Sequence, residues 1–82
     1  MVVGNNAMCI QLDRGRIKYS IPGKNIDIEI EHSMGEVSIF KNSIKNWLPP
    51  NSGEEVDEIT RRKIIDDVSN AMRLLGIKYI LE

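Results

Sequence analysis

The strongest constraint in this chain is a two-residue alternation that runs from position 16 to position 31. Ile17, Tyr19 and Ile21 alternate with Arg16, Lys18 and Ser20, and Ile26, Ile28 and Ile30 alternate with Asp27, Glu29 and Glu31. Successive side chains of a strand point to opposite faces, so each run has one apolar and one polar face. The turn-forming segment Pro22-Gly23-Lys24-Asn25 separates the runs, and so short a connection makes them an antiparallel hairpin. With all four residues in the loop, Ile21 pairs with Ile26, Tyr19 with Ile28 and Ile17 with Ile30. The polar face then sets Lys18 against Glu29 and Arg16 against Glu31, each pair contributing roughly 0.2–1 kcal/mol. A slip of one residue would bring isoleucines beside charges.

Two further runs alternate in the same way. Met8, Ile10 and Leu12 share a face opposite Gln11, and Val37 and Ile39 alternate with Glu36 and Ser38. Asp13-Arg14-Gly15 and Ser33-Met34-Gly35 supply turns between them. These strands make a β-meander over residues 7–47. Within it, Phe40 to Trp47 reads either as a short turn or as an irregular edge strand. Phe40 falls on the polar face, which makes it an exposed contact or a sign that the strand bends. Residues 48–56 form a Pro-rich loop, because Pro49 and Pro50 cannot sit inside a helix or a central strand.

Residues 57–75 carry a helical period. Ile64, Ile65, Val68, Ala71, Met72 and Leu75 fall on one stripe, with Arg62, Asp66, Ser69 and Arg73 opposite. Asp57 suits the N-cap, Glu58 suits the first turn, and Gly76 suits the position just past the end. Residues 77–81 are β-prone and free to return to the sheet as a last short strand. The apolar stripe and the isoleucine face each need a partner, and each can serve the other. The expected fold is α+β: an antiparallel β-meander of four to five strands packed on one C-terminal amphipathic helix.

Composition bounds the function. Eighty-two residues form a single domain, 1–82, with a small core. Eleven Lys+Arg against twelve Asp+Glu leave a net charge of −1, without the basic surplus that broad nucleic-acid binding requires. A single cysteine, Cys9, rules out an internal disulfide and a multi-Cys zinc site. A secreted domain this small usually needs disulfides, so a cytoplasmic location is expected. The N-terminus lacks the basic and apolar segments of a signal peptide, and no apolar run is long enough to span a bilayer.

Candidate chemistry is sparse. His32 is the only histidine, so no His pair exists for a metal. A Cys9–His32 pair requires the fold to bring the two together, and no third group is marked by spacing. The six glycines are scattered singly, without the spacing of a phosphate-binding loop. The aromatic residues are too few for a base-stacking platform. Neither catalytic residues, nor a metal, nor another cofactor are expected. The carboxylates fall into sets: Asp27, Glu29 and Glu31 on one strand face, Glu54, Glu55, Asp57 and Glu58 around the helix start, and Asp66 and Asp67 on the helix. The first two sets are either solvated surface or an acidic patch for a basic partner. Trp47-Leu48-Pro49-Pro50 is the most unusual segment. Either Trp47 closes one end of the core, or a stiff loop presents it to a partner.

Asn42-Ser43, Trp47, Pro49-Pro50, the acidic Glu54-Glu55 and a helix starting near Asp57 together resemble the small immunity proteins of bacterial polymorphic toxin and contact-dependent inhibition systems, above all the immunity protein 74 family. The resemblance covers roughly residues 40–68. It departs at Leu48, where an acidic residue is expected. It implies a non-enzymatic protein that binds and neutralises the toxic domain of a cognate effector. The implied toxin is a nuclease, blocked by carboxylates placed where phosphates would sit. The first candidate contact set is Trp47, Glu54, Glu55 and Asp57, and the second is Asp27, Glu29 and Glu31. Expected partners are a toxin domain, with neither nucleic acid nor membrane, and the chain is a monomer or a weak dimer. Two other readings stay open. One is a small enzyme using His32 or Cys9. The other is a structural or regulatory subunit that dimerises through a sheet edge or Phe40.

Overall fold

The computed structural model describes residues 2–5 and 7–82, so the readings made at Met1 and Asn6 lie outside it. Among the described residues six strands form one sheet whose spatial order is the order of the chain: β1 (Val2–Gly4), β2 (Cys9–Leu12), β3 (Arg16–Ile21), β4 (Lys24–Ser33), β5 (Glu36–Ile39) and β6 (Lys78–Leu81). A 3-10 turn (Lys41–Ser43) and the helix α1 (Glu58–Leu74) lie between β5 and β6. Neighbouring strands are antiparallel except β5 and β6, which run parallel. The fold is α+β, as the hydropathy pattern requires. The returning strand after Gly76 is present as β6.

The central hairpin corrects the expected register. Arg16 pairs with Glu29, Ile17 with Ile28, Lys18 with Asp27, Tyr19 with Ile26 and Ile21 with Lys24. Only Pro22 and Gly23 form the turn, and Gly23 takes φ +81°. Proline followed by a positive-φ glycine is the chemistry of a two-residue type II turn. The shift is two residues, so every side chain keeps its face. Opposite charges still meet, and Arg16 Nη1 also reaches Asp27 Oδ2 at 3.3 Å.

β1 lies ahead of the expected meander. Val2-Val3-Gly4 is too short to display an alternation. Asn5 makes it a strand: its Oδ1 accepts from the N–H groups of Ala7 (2.7 Å) and Met8 (3.0 Å), and its own N–H donates to Met8 O at 2.8 Å. That turn folds Val3 back opposite Ile10.

The core lies between the sheet's isoleucine face and α1. Ile17, Ile28 and Ile44 are 0% exposed, and Tyr19, Ile64, Val68 and Met72 are at most 1%. Tyr19 O–H donates to Asp67 Oδ2 at 2.7 Å, and Lys63 Nζ donates to the same oxygen at 2.9 Å. Burial, then the Asp67 carboxylate, pushes the Tyr19 hydroxyl far above its ordinary range. Ser69, expected on the outer side of α1, is buried. It directly follows Val68 and lies within one turn of Met72, so the covered arc of α1 is wider than its apolar stripe. Phe40 is half-buried beyond the end of β5, where the strand bends into the 3-10 turn.

Both ends of α1 are capped as expected. Asp57 has extended backbone and its Oδ1 accepts from Thr60 N–H at 2.7 Å. At the other end Gly76 (φ +71°) donates to Arg73 O and Ile77 to Met72 O, the paired bonds of a Schellman motif. The Thr60 backbone N–H holds the Asp57 carboxyl below its ordinary range. The stabilisation from this cap is complete well above the unfolded-state pKa and is lost as pH falls through the lowered folded-state pKa. Asp57→Ala therefore lowers the melting temperature at pH 7. The gap to the unsubstituted chain closes in strong acid, as thermal melts across pH will show.

Candidate functional site

The segment between the 3-10 turn and α1 is built inward. Trp47 is 4% exposed and packs with Ile44 and Val56 in the core cluster. Lys24 Nζ stands 5.4 Å from the Trp47 ring centroid and also reaches Glu54 Oε2 at 2.7 Å. Trp47 N–H donates to Glu54 O, Val56 N–H to Lys45 O, and Leu48 N–H to Asn25 O on the free side of β4. Ser43 Oγ accepts from Glu29 N–H at 2.9 Å and donates to Phe40 O at 2.6 Å. The segment thus covers the half of β4 that β5 does not reach.

The first candidate set is therefore divided. Trp47 lies in the core, where the first of its two readings puts it, closing one end of the apolar cluster. Glu54 is paired with Lys24, and Asp57 caps α1. Glu55 is exposed, and its backbone bridges to Asn46.

The second set lies on the sheet's outward face. Asp27 is turned toward Arg16, and its Oδ1 is buried with no hydrogen-bond partner among the described residues. Glu29 and Glu31 are exposed on β4. The β4–β5 register, Glu31 to Ser38 and Ser33 to Glu36, adds Glu36 diagonally beside Glu31. Glu29, Glu31 and Glu36 have no ion pair among the described residues, whereas Asp13, Asp27, Glu54, Glu58 and Asp67 are all ion-paired.

At the end of this stripe the β4–β5 turn carries Met34, 100% exposed at φ +48°, followed by Gly35 at φ +81°. Two consecutive positive φ values make a type I′ turn, which prefers Asn, Asp or Gly over methionine. A depression of about 370 Å³ opens beside it, walled by Leu12, His32, Met34, Glu36, Val37 and Ile77. Sequence reasoning missed Glu36 and Met34. The only available signal was a methionine where turn chemistry favours a small polar residue.

Cys9 and His32 do not meet. Cys9 aligns with Ser20, which aligns with Asn25, and His32 lies seven residues further along β4, about 23 Å at strand rise. Both are exposed. Among the described residues no group of three or more His, Cys, Asp or Glu could hold a metal ion, and no helix is long and apolar enough to cross a membrane.

Residues 9–82 match the sequence model of the family described as Immunity protein 74. The chain belongs to the immunity protein 74 family. The match takes in every element from β2 to β6, while β1 precedes it. This family member is also 30% identical, over 86 aligned residues and 99% of its own length, to one subunit of the glutamine-hydrolyzing GMP synthase of Thermoplasma volcanium. It spans only 27% of that relative. No solved structure matches the chain. Membership of this family points to immunity against a toxin. In this immunity protein, Ser43, Trp47 and Asp57, three residues of the recognisable segment, are engaged in holding the fold.

Proposed function

We propose that this immunity protein binds the catalytic domain of a cognate bacterial toxin, a nuclease, and blocks its substrate surface with the outward face of the sheet. Family membership over residues 9–82 carries the toxin-binding part of this reading. The choice of face rests on Glu29, Glu31 and Glu36, which make no ion pair among the described residues although Glu29 stands opposite Arg16 and Glu36 opposite Lys78, and on Met34 beside them. A nuclease cleft is lined with cations that meet phosphates. A row of carboxylates at strand spacing competes for those cations, and Met34 supplies an adaptable apolar contact at the end of the row. Glu55 and the loop around it form the edge of the contact rather than its centre.

The test starts with affinity capture of the full chain from its own cells and mass identification of the retained protein. The captured domain is expected to be toxic when expressed alone and harmless when co-expressed with this chain. Glu29→Lys with Glu31→Lys should then weaken binding at least about tenfold, equal to about 1.4 kcal/mol, and alter its salt dependence. Glu55→Lys should have a smaller effect. Full protection by the double reversal would reject this face. A non-toxic captured domain would reject the immunity reading itself.

A further inference from the structure

We propose that the open edge at β6 is a self-association site at which two copies of this chain pair antiparallel into one continuous sheet. Among the described residues the sheet ends at β6, with β5 on one side and no strand on the other. Glu82 N–H donates to Ile39 O, and Glu82 O accepts from Lys41 N–H, so Glu82 turns its backbone groups toward the β5 side. Strand alternation gives Lys78 and Ile80 the same orientation and points the N–H and C=O groups of Tyr79 and Leu81 outward from the edge. Natural edges are commonly covered, bulged or charged along their length. Here Ile80 is 45% and Leu81 36% exposed, and charges occur only at the two ends of the segment.

The occupant follows from the sequence of the edge. Lys78-Tyr79-Ile80-Leu81-Glu82 is complementary to its own reverse. Placed antiparallel about Ile80, a second copy sets Glu82 against Lys78 at both ends, Leu81 against Tyr79, and Ile80 against Ile80. The outward-pointing backbones of Tyr79 and Leu81 are then the hydrogen-bonded pairs. The two Ile80 residues become the close, non-hydrogen-bonded pair, where side chains approach most nearly. Chemistry and register therefore select the same alignment. This is an isologous contact, closed by a two-fold axis. Its few residues place it among small, weak interfaces. It does not depend on the toxin-binding reading: Lys78 stands beside Glu36 of the carboxylate stripe, but Glu82→Lys leaves that neighbour untouched.

Charge exchange tests the alignment. Sedimentation of the full chain up to about 1 mM should show a reversible monomer–dimer equilibrium. Lys78→Glu should weaken self-association at least tenfold, and so should Glu82→Lys, because each sets like charges together at both ends. An equimolar mixture of the two variants should recover the dimer, since both ends then become complementary. Because Lys78 pairs with Glu36 between β6 and β5, thermal melts accompany each variant. If Lys78→Glu fails to fold, Glu82→Lys and the double exchange in one chain decide the matter: the first must lose the dimer and the second must regain it. A chain that stays monomeric throughout, or a dimer indifferent to these exchanges, overturns the proposal.

Discussion

Trp47→Ala is expected to cost about 3–5 kcal/mol of folding stability, the range for emptying a buried aromatic site. The ring is 4% exposed, packs with Ile44 and Val56 in the core cluster, and has the Lys24 ammonium 5.4 Å from its centroid. Its removal leaves a cavity beneath a loop that also holds the Lys24–Glu54 pair. Lys24 then loses its aromatic neighbour, and the segment covering β4 loosens. Trp47→Phe keeps most of the volume and should lose far less. Urea denaturation followed by circular dichroism measures both, since the chain's sole tryptophan is the one removed. A stable Trp47→Ala variant with impaired partner binding would show that the indole acts at a contact instead.

Ile28→Ala is expected to cost a similar amount, within the roughly 2–5 kcal/mol seen for buried aliphatic truncations. Ile28 is 0% exposed at the middle of β4 and pairs with Ile17, also 0% exposed. Domains this small carry about 0.05–0.15 kcal/mol of stability per residue, so the substitution removes a large share of the total. Adjacent Glu29→Ala reverses the local face and should stay within about 0.5 kcal/mol. The contrast between the two neighbours measures how sharply the strand separates core from surface. Equal losses at both positions would mean that the outward face is packed in solution.

These contrasts also mark what the amino-acid pattern could convey. Period-two alternation assigns faces correctly along β3, β4 and β5, because burial depends only on parity. Register is different: moving a strand by two residues preserves parity, so alternation is blind to that displacement. Turn chemistry breaks the tie, and Pro22-Gly23 alone makes the turn where four residues were expected. β1 is invisible to periodicity because three residues hold no period, and a side-chain hydrogen bond from Asn5 closes its turn. Ser69 is covered by its neighbours despite its polarity. The candidate contact face was half legible. Glu29 and Glu31 follow from one strand, but Glu36 joins them only through the β4–β5 pairing. Trp47 was conspicuous for its rarity, and rarity alone does not tell a core residue from a contact.

The parallel seam between β5 and β6 also bears on how the chain acquires its shape. Every other strand pair joins neighbours in sequence across a short turn, whereas Val37 meets Tyr79 about forty residues later. Closing so long a loop costs more chain entropy than closing a hairpin, and non-local pairings slow folding. The hairpins of β2, β3, β4 and β5 can assemble during synthesis while α1 and β6 are still missing. Until β6 arrives, Val37 and Ile39 lack the strand beside them. This late seam sets the interval in which a nascent chain leaves the β5 side of its core uncovered, and the docking of β6 brings that interval to an end.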